Sequence, residues 1–64
     1  MYLISIETKT MAFYNPNGML DPAAEIASIL EHLALQLRDG ELGHGRLYDT
    51  NGNAVGTYLY QDLS

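Results

Sequence analysis

The residues best suited to proton transfer or metal binding at neutral pH are the two histidines, His32 and His44. One falls on the polar side of a helical pattern and the other lies between two glycines, with no nearby set of Cys, His, Asp or Glu at metal-ligand spacing. Protein zinc sites need three or four ligands held by supporting hydrogen bonds, so these imidazoles read as surface groups. Asp49-Thr50-Asn51-Gly52-Asn53 has the oxygen-rich character of a calcium loop. The EF-hand loop, however, needs glycine at its sixth position and glutamate at its twelfth. Counted from Asp49, glycine comes fourth and the twelfth residue is Tyr60. Ser28 and His32 are one helical turn apart but lack a third orienting group and an oxyanion-hole motif. Asp21 and Glu25 suit the start of a helix, as N-cap and dipole partner, better than they suit an acid–base pair. The expectation is a protein without catalytic residues, metal or cofactor.

Eight acidic residues face only three basic ones, Lys9, Arg38 and Arg46, for a net charge of −5. Binding a phosphate backbone or an anionic membrane requires clustered Lys and Arg, which are lacking. A negative surface suits a basic protein partner, including one that itself holds nucleic acid, or serves solubility alone. No apolar run approaches the ~20 residues of a membrane span, and no secretion signal is evident, so the default expectation is cytoplasmic. All 64 residues read as a single domain, 1–64. Such a chain buries roughly 6,000 Å² on folding. At ~60% apolar and ~25 cal/mol per Å² this contributes about 90 kcal/mol. Ordering the chain at ~1.5 kcal/mol per residue costs about 95 kcal/mol. The near-cancellation, with no cysteine to form a staple, makes a second copy or a partner protein a plausible source of stability.

The elements that must position these residues follow from periodicity. Tyr2, Ile4 and Ile6 alternate with Ser5 and Glu7, which predicts a strand over 2–8. Met11 and Phe13 lie on the opposite parity, which predicts a bulge near Thr8–Thr10. Asn15-Pro16-Asn17-Gly18 predicts a turn. Asp21-Pro22 opens a helix over 22–39, with Arg38 in its last turn and Gly40 as its C-terminal cap. Its core stripe is Ile26, Leu30, Leu33 and Leu37, flanked by Ala23, Ala27 and Ala34 on one side and Ile29 on the other. Gly45 to Gln61 predicts a hairpin with a type I turn and glycine bulge at Asp49–Asn53. In that register Tyr48 pairs with Ala54 and Leu47 with Val55. Leu47, Val55, Thr57 and Leu59 then share the core face, and Arg46, Tyr48, Tyr58 and Tyr60 share the other.

The resulting fold class is α+β: a β-α-β-β order giving a three-stranded antiparallel sheet, with the last strand central and one helix on one face. Two surfaces stand out as candidate partner-binding sites. The first is the helix-free sheet face with Tyr48, Tyr58 and Tyr60, a residue type suited to interfaces. Self-association, docking of a different protein, or an ordinary exposed sheet surface all remain open for it. The second is the helix face opposite the core, where Leu35 is surrounded by Glu31, His32 and Asp39, with Ser28 nearby.

Two stretches, Asp21-Pro22-Ala23-Ala24-Glu25-Ile26-Ala27 followed by Ile29, Leu30, Leu33, Leu37 and Gly40, and Leu47 through Gly56, carry a resemblance. Over residues 21–57 the chain resembles a class of very small accessory proteins encoded in bacteriophage and prophage genomes, mostly without an assigned function. The resemblance implies a bacterial cytoplasm as the setting and a protein that binds and blocks host machinery, as anti-CRISPR inhibitors do. It transfers no catalytic residue. The leading expectation is a non-enzymatic, acidic inhibitor of a host nucleic-acid-handling defence complex, contacting protein rather than nucleic acid or membrane. The alternative is a small structural or regulatory homodimer.

Overall fold

A computed structural model describes residues 1–62. The order is β1 (Tyr2–Ile6), a 3₁₀ turn (Met11–Phe13), α1 (Pro22–Arg38), β2 (His44–Tyr48) and β3 (Ala54–Tyr60). The sheet runs β1-β3-β2, with β3 antiparallel to both neighbours. The architecture is the expected α+β one.

Local chemistry accounts for the helix ends. Pro22 occupies the first turn, where its missing N–H leaves no bond unmade. At the other end Gly40 N–H donates to Leu37 O and Glu41 N–H to Gln36 O, the paired bonds of a Schellman motif. Asp21 precedes the helix, but its side chain makes no capping hydrogen bond. Glu25 is drawn away from the helix end as well, since it accepts bonds from Thr50, as described below.

The chain between β1 and α1 differs from the sequence expectation. β1 stops at Ile6, and no bulge shifts its parity near Thr8–Thr10. The 3₁₀ turn instead rotates Phe13 inward, where it is the most deeply buried large side chain. Asn15 closes the following turn as anticipated. Its side-chain oxygen accepts from Asn17 N–H and Met19 N–H, and Tyr14 bridges to Leu20.

The bulge lies in β3. Tyr48 pairs with Ala54 as expected, but Leu47 pairs with Gly56, so Val55 is an extra residue. Both Leu47 and Val55 remain buried. Beyond the bulge the parity of β3 is reversed. Tyr58 and Tyr60 therefore share the helix-side face with Tyr2, Ile4 and Ile6, across from which they pair. Thr57 and Leu59 move to the outer face with Ser5, Leu3, Arg46 and His44. The expected stripe of three tyrosines on one face is thus divided: Tyr48 stays outside, whereas Tyr58 and Tyr60 do not. Tyr58 lies across Gly45, where any added Cβ would meet its ring, and its ring centroid is 6.3 Å from that of Tyr2.

The core comprises Phe13, Ile29, Leu33, Leu47 and Val55, with Tyr2, Ile6, Ile26 and Tyr58 packed against it. Helix α1 packs mainly on β2 and the 3₁₀ turn rather than across the middle of the sheet. Its buried line is centred on Ile29 and Leu33, and Leu30 and Leu37 of the expected stripe are exposed. The helix is rotated toward Ile29 because it seats beside the edge strand β2, with Phe13 filling the space at its N-terminal half.

Candidate partner-binding surface

The hairpin tip organises one end of the molecule. Gly52 adopts φ 84°, the left-handed conformation that closes a type I turn with a glycine bulge. Gly52 N–H donates to Asp49 O, and Asp49 N–H donates to Asn53 O. The buried Asp49 carboxylate accepts the Thr10 hydroxyl at 2.6 Å, the N–H groups of Asn51 and Asn53 at 2.9 Å each, and the Asn53 amide at 3.1 Å. Thr50 donates its N–H and hydroxyl to the Glu25 carboxylate at 2.8–2.9 Å. One turn therefore holds the segment before the 3₁₀ helix and the first turn of α1. The sequence DTNGN is explained by structural bonds.

The Thr10 hydroxyl is the main reason that the Asp49 carboxyl titrates below its ordinary value of 3.8, with the Asn53 and Asn51 donors adding to it and burial opposing. A carboxyl depressed in the folded state contributes stability above its unfolded pKa and loses that contribution as pH falls through the folded value. Thermal melts are therefore expected to hold steady from neutral pH to about pH 4 with respect to this group, then decline below it. Thr10→Val should flatten that acid limb and lower the melting temperature at pH 7. An acid limb of unchanged steepness in Thr10→Val would show that another group controls it.

A groove of about 470 Å³ runs between α1 and the edge strand β2. Helical spacing places His32, Leu35, Gln36 and Asp39 along one wall. Arg46 and Tyr48, alternate residues of β2, form the other wall, over a floor of Ile29, Leu33 and Leu47. Leu35 is 60% exposed and Tyr48 54% exposed, so both rims present large apolar surface to solvent. The structure thereby gathers four residues proposed from sequence, Leu35, His32, Asp39 and Tyr48. Glu31 is exposed on α1 but does not line this groove. Tyr58 and Tyr60, on the helix-side face of β3, do not line it. Arg46 was missed as part of a site; its alternation with Tyr48 was the available signal.

The acids are unevenly used. Glu25 and Asp49 are hydrogen-bonded at the hairpin tip, and Glu7 lies 3.7 Å from Lys9. At the other end, Tyr60 N–H donates to Gly43 O, joining the end of β3 to the loop after α1. Topology thus brings Asp39 and Glu41 to the end of the molecule that carries the negative pole of the helix, together with Arg38 and the Met1 ammonium. Leu35 and Leu42 are exposed near it.

Among the described residues, His, Asp and Glu nowhere converge in a group of three that would hold a metal ion. None of the described helices is long and apolar enough to cross a membrane. Comparison with protein-family models, curated proteins and solved structures finds no match to this chain.

Proposed function

We propose that this protein is a non-enzymatic, phage-derived inhibitor that docks on a basic, nucleic-acid-handling surface of a host defence complex in the bacterial cytoplasm. The observation that supports this reading is the groove between α1 and β2, which sets acidic and apolar side chains side by side. Asp39 in the groove wall, Glu41 just beyond it and the helix C-terminus supply negative potential next to Leu35, offset in part by Arg38, and Tyr48 rims the same groove toward the hairpin tip. Charge of this kind accelerates encounter with a basic surface, and desolvated leucine and tyrosine side chains slow dissociation. The mixed lining of the groove, which includes Arg46, Asp39 and His32, favours a protein surface over a small apolar ligand.

The test is a pull-down from bacterial lysate containing a defence complex, at about 50 mM and about 500 mM salt. A nucleic-acid-handling complex should be captured at low salt and lost at high salt. With the captured complex purified, Leu35→Ala should weaken binding about 10-fold by loss of an apolar anchor. Asp39→Asn combined with Glu41→Gln should mainly slow association and reduce the salt dependence. Binding indifferent to both salt and these substitutions would overturn the proposal.

A further inference from the structure

The helix has a second apolar face that its own sheet leaves open. Advancing about 100° per residue from Ile26, the positions Leu37, Leu30, Ala34 and Ala27 follow one another around an arc without a charged side chain. Leu30 is 39% exposed and Leu37 37% exposed, and Ala34 and Ala27 beyond them on the arc are exposed as well. Because the groove containing His32, Leu35 and Gln36 opens toward the outer edge of β2, this arc looks the other way, over β3 and β1. The helix-side residues at that part of the sheet, Ile4 and Tyr60, are exposed too. Half of an apolar stripe that the sequence places on one helix face is therefore outside the core.

We infer that this open face is covered by a second copy of the chain, so that the α1 arcs and the uncovered sheet faces of two protomers meet. Area supports this occupant. The chain exposes 4758 Å² of surface, whereas a compact monomer of this mass exposes about 4,100 Å². The excess of about 650 Å² is that of the whole elongated chain and includes the open face with Leu30, Leu37, Ile4 and Tyr60; a standard interface takes ~800 Å² from each partner. Shape agrees: the radius of gyration is 12.9 Å, against about 11 Å for a compact chain of this length. Charge selects between partners. Two copies each at −5 repel, so they can meet only through an uncharged face, and this arc is uncharged. A basic partner would find no acid on it. The alanines allow two helices to approach closely, with Leu30 and Leu37 as the interlocking side chains.

Sedimentation velocity from about 1 μM to about 500 μM should show a concentration-dependent monomer–dimer equilibrium. Leu30→Glu and Leu37→Glu should each weaken the dimer about 100-fold, by placing a charge opposite its own symmetry copy. Leu35→Glu, on the other side of α1, should leave the dimer intact. A second measurement does not depend on the glutamate variants folding. The chain lacks cysteine, so Ala34→Cys with a short bis-maleimide should give a covalent dimer, while Gln36→Cys, about 160° around the helix and in the groove wall, should not. Monomers throughout the concentration range would overturn the inference. So would equal crosslinking at both positions, or protection of the Leu30 face only when a different protein is bound. The inference is independent of the proposed inhibitor role, since purified protein alone decides it.

Discussion

Phe13→Ala is expected to leave the protein largely unfolded at 25 °C, seen as loss of cooperative thermal unfolding by circular dichroism. Among the described residues Phe13 is the only fully buried large side chain, one of five buried apolar core residues, and it packs between α1 and the sheet. Removing a buried phenylalanine costs about 3–5 kcal/mol, through lost transfer energy and the cavity left behind. A domain of this length has a total stability of about 3–10 kcal/mol, so one such loss consumes much or all of it. Phe13→Leu keeps most of the volume and should cost about 1–2 kcal/mol, leaving a cooperative transition at lower temperature. A cooperative melt for Phe13→Ala close to that of the parent would mean that the 3₁₀ turn is not part of the folding unit.

Gly56→Ala should be nearly as damaging, although it adds one carbon. Gly56 pairs with Ile6 on one side and Leu47 on the other, at the bulge. A Cβ there would run into the Ser5 carbonyl oxygen and the Ile6 backbone. Backbone in the middle of a sheet cannot yield without lengthening ladder bonds, so the cost is about 3 kcal/mol or more. Gly45→Ala provides the contrast. Its added Cβ would meet the ring of Tyr58, a side chain that can swing aside, and should cost about 1 kcal/mol. Urea denaturation of both variants tests the difference; equal midpoints would show that β1 does not approach Gly56 this closely.

That glycine also marks where sequence reading stopped. The helix ends, the Asn15 turn and the hairpin register as far as Tyr48 and Ala54 were legible, because each depends on residues within a few positions. The sheet order followed from connectivity. The bulge was not anticipated in β3, because alternation alone cannot distinguish Val55 as paired from Val55 as extra. The available sign was Gly56 itself, since glycine inside a strand often marks a bulge or a close backbone approach. One unrecognised residue was enough to move Tyr58 and Tyr60 to the wrong face. Phe13 was misassigned for a similar reason: odd parity in a short apolar stretch fits a shifted strand or a 3₁₀ turn equally well. The groove was half legible. Helical spacing grouped Leu35, His32 and Asp39, but meeting Tyr48 and Arg46 required the helix to lie over β2, a tertiary choice. The bonds from Thr10 to Asp49 and from Thr50 to Glu25 join polar residues far apart in the chain and leave no local pattern.

Those two bonds give the fold a clasp. Thr10 and Asp49 are 39 residues apart, and the enclosed loop contains the whole of α1 and β2. Closing a loop of that length removes much of the freedom of the open chain, a task that a disulfide performs in many small proteins. Here it is done by groups that acid can release, in a chain with no cysteine. The opposite end is held differently, by backbone bonds from Tyr60 to Gly43 and from Gln61 to Met1 that carry no titratable side chain. Acid therefore loosens the two ends of the molecule unequally, the hairpin end first.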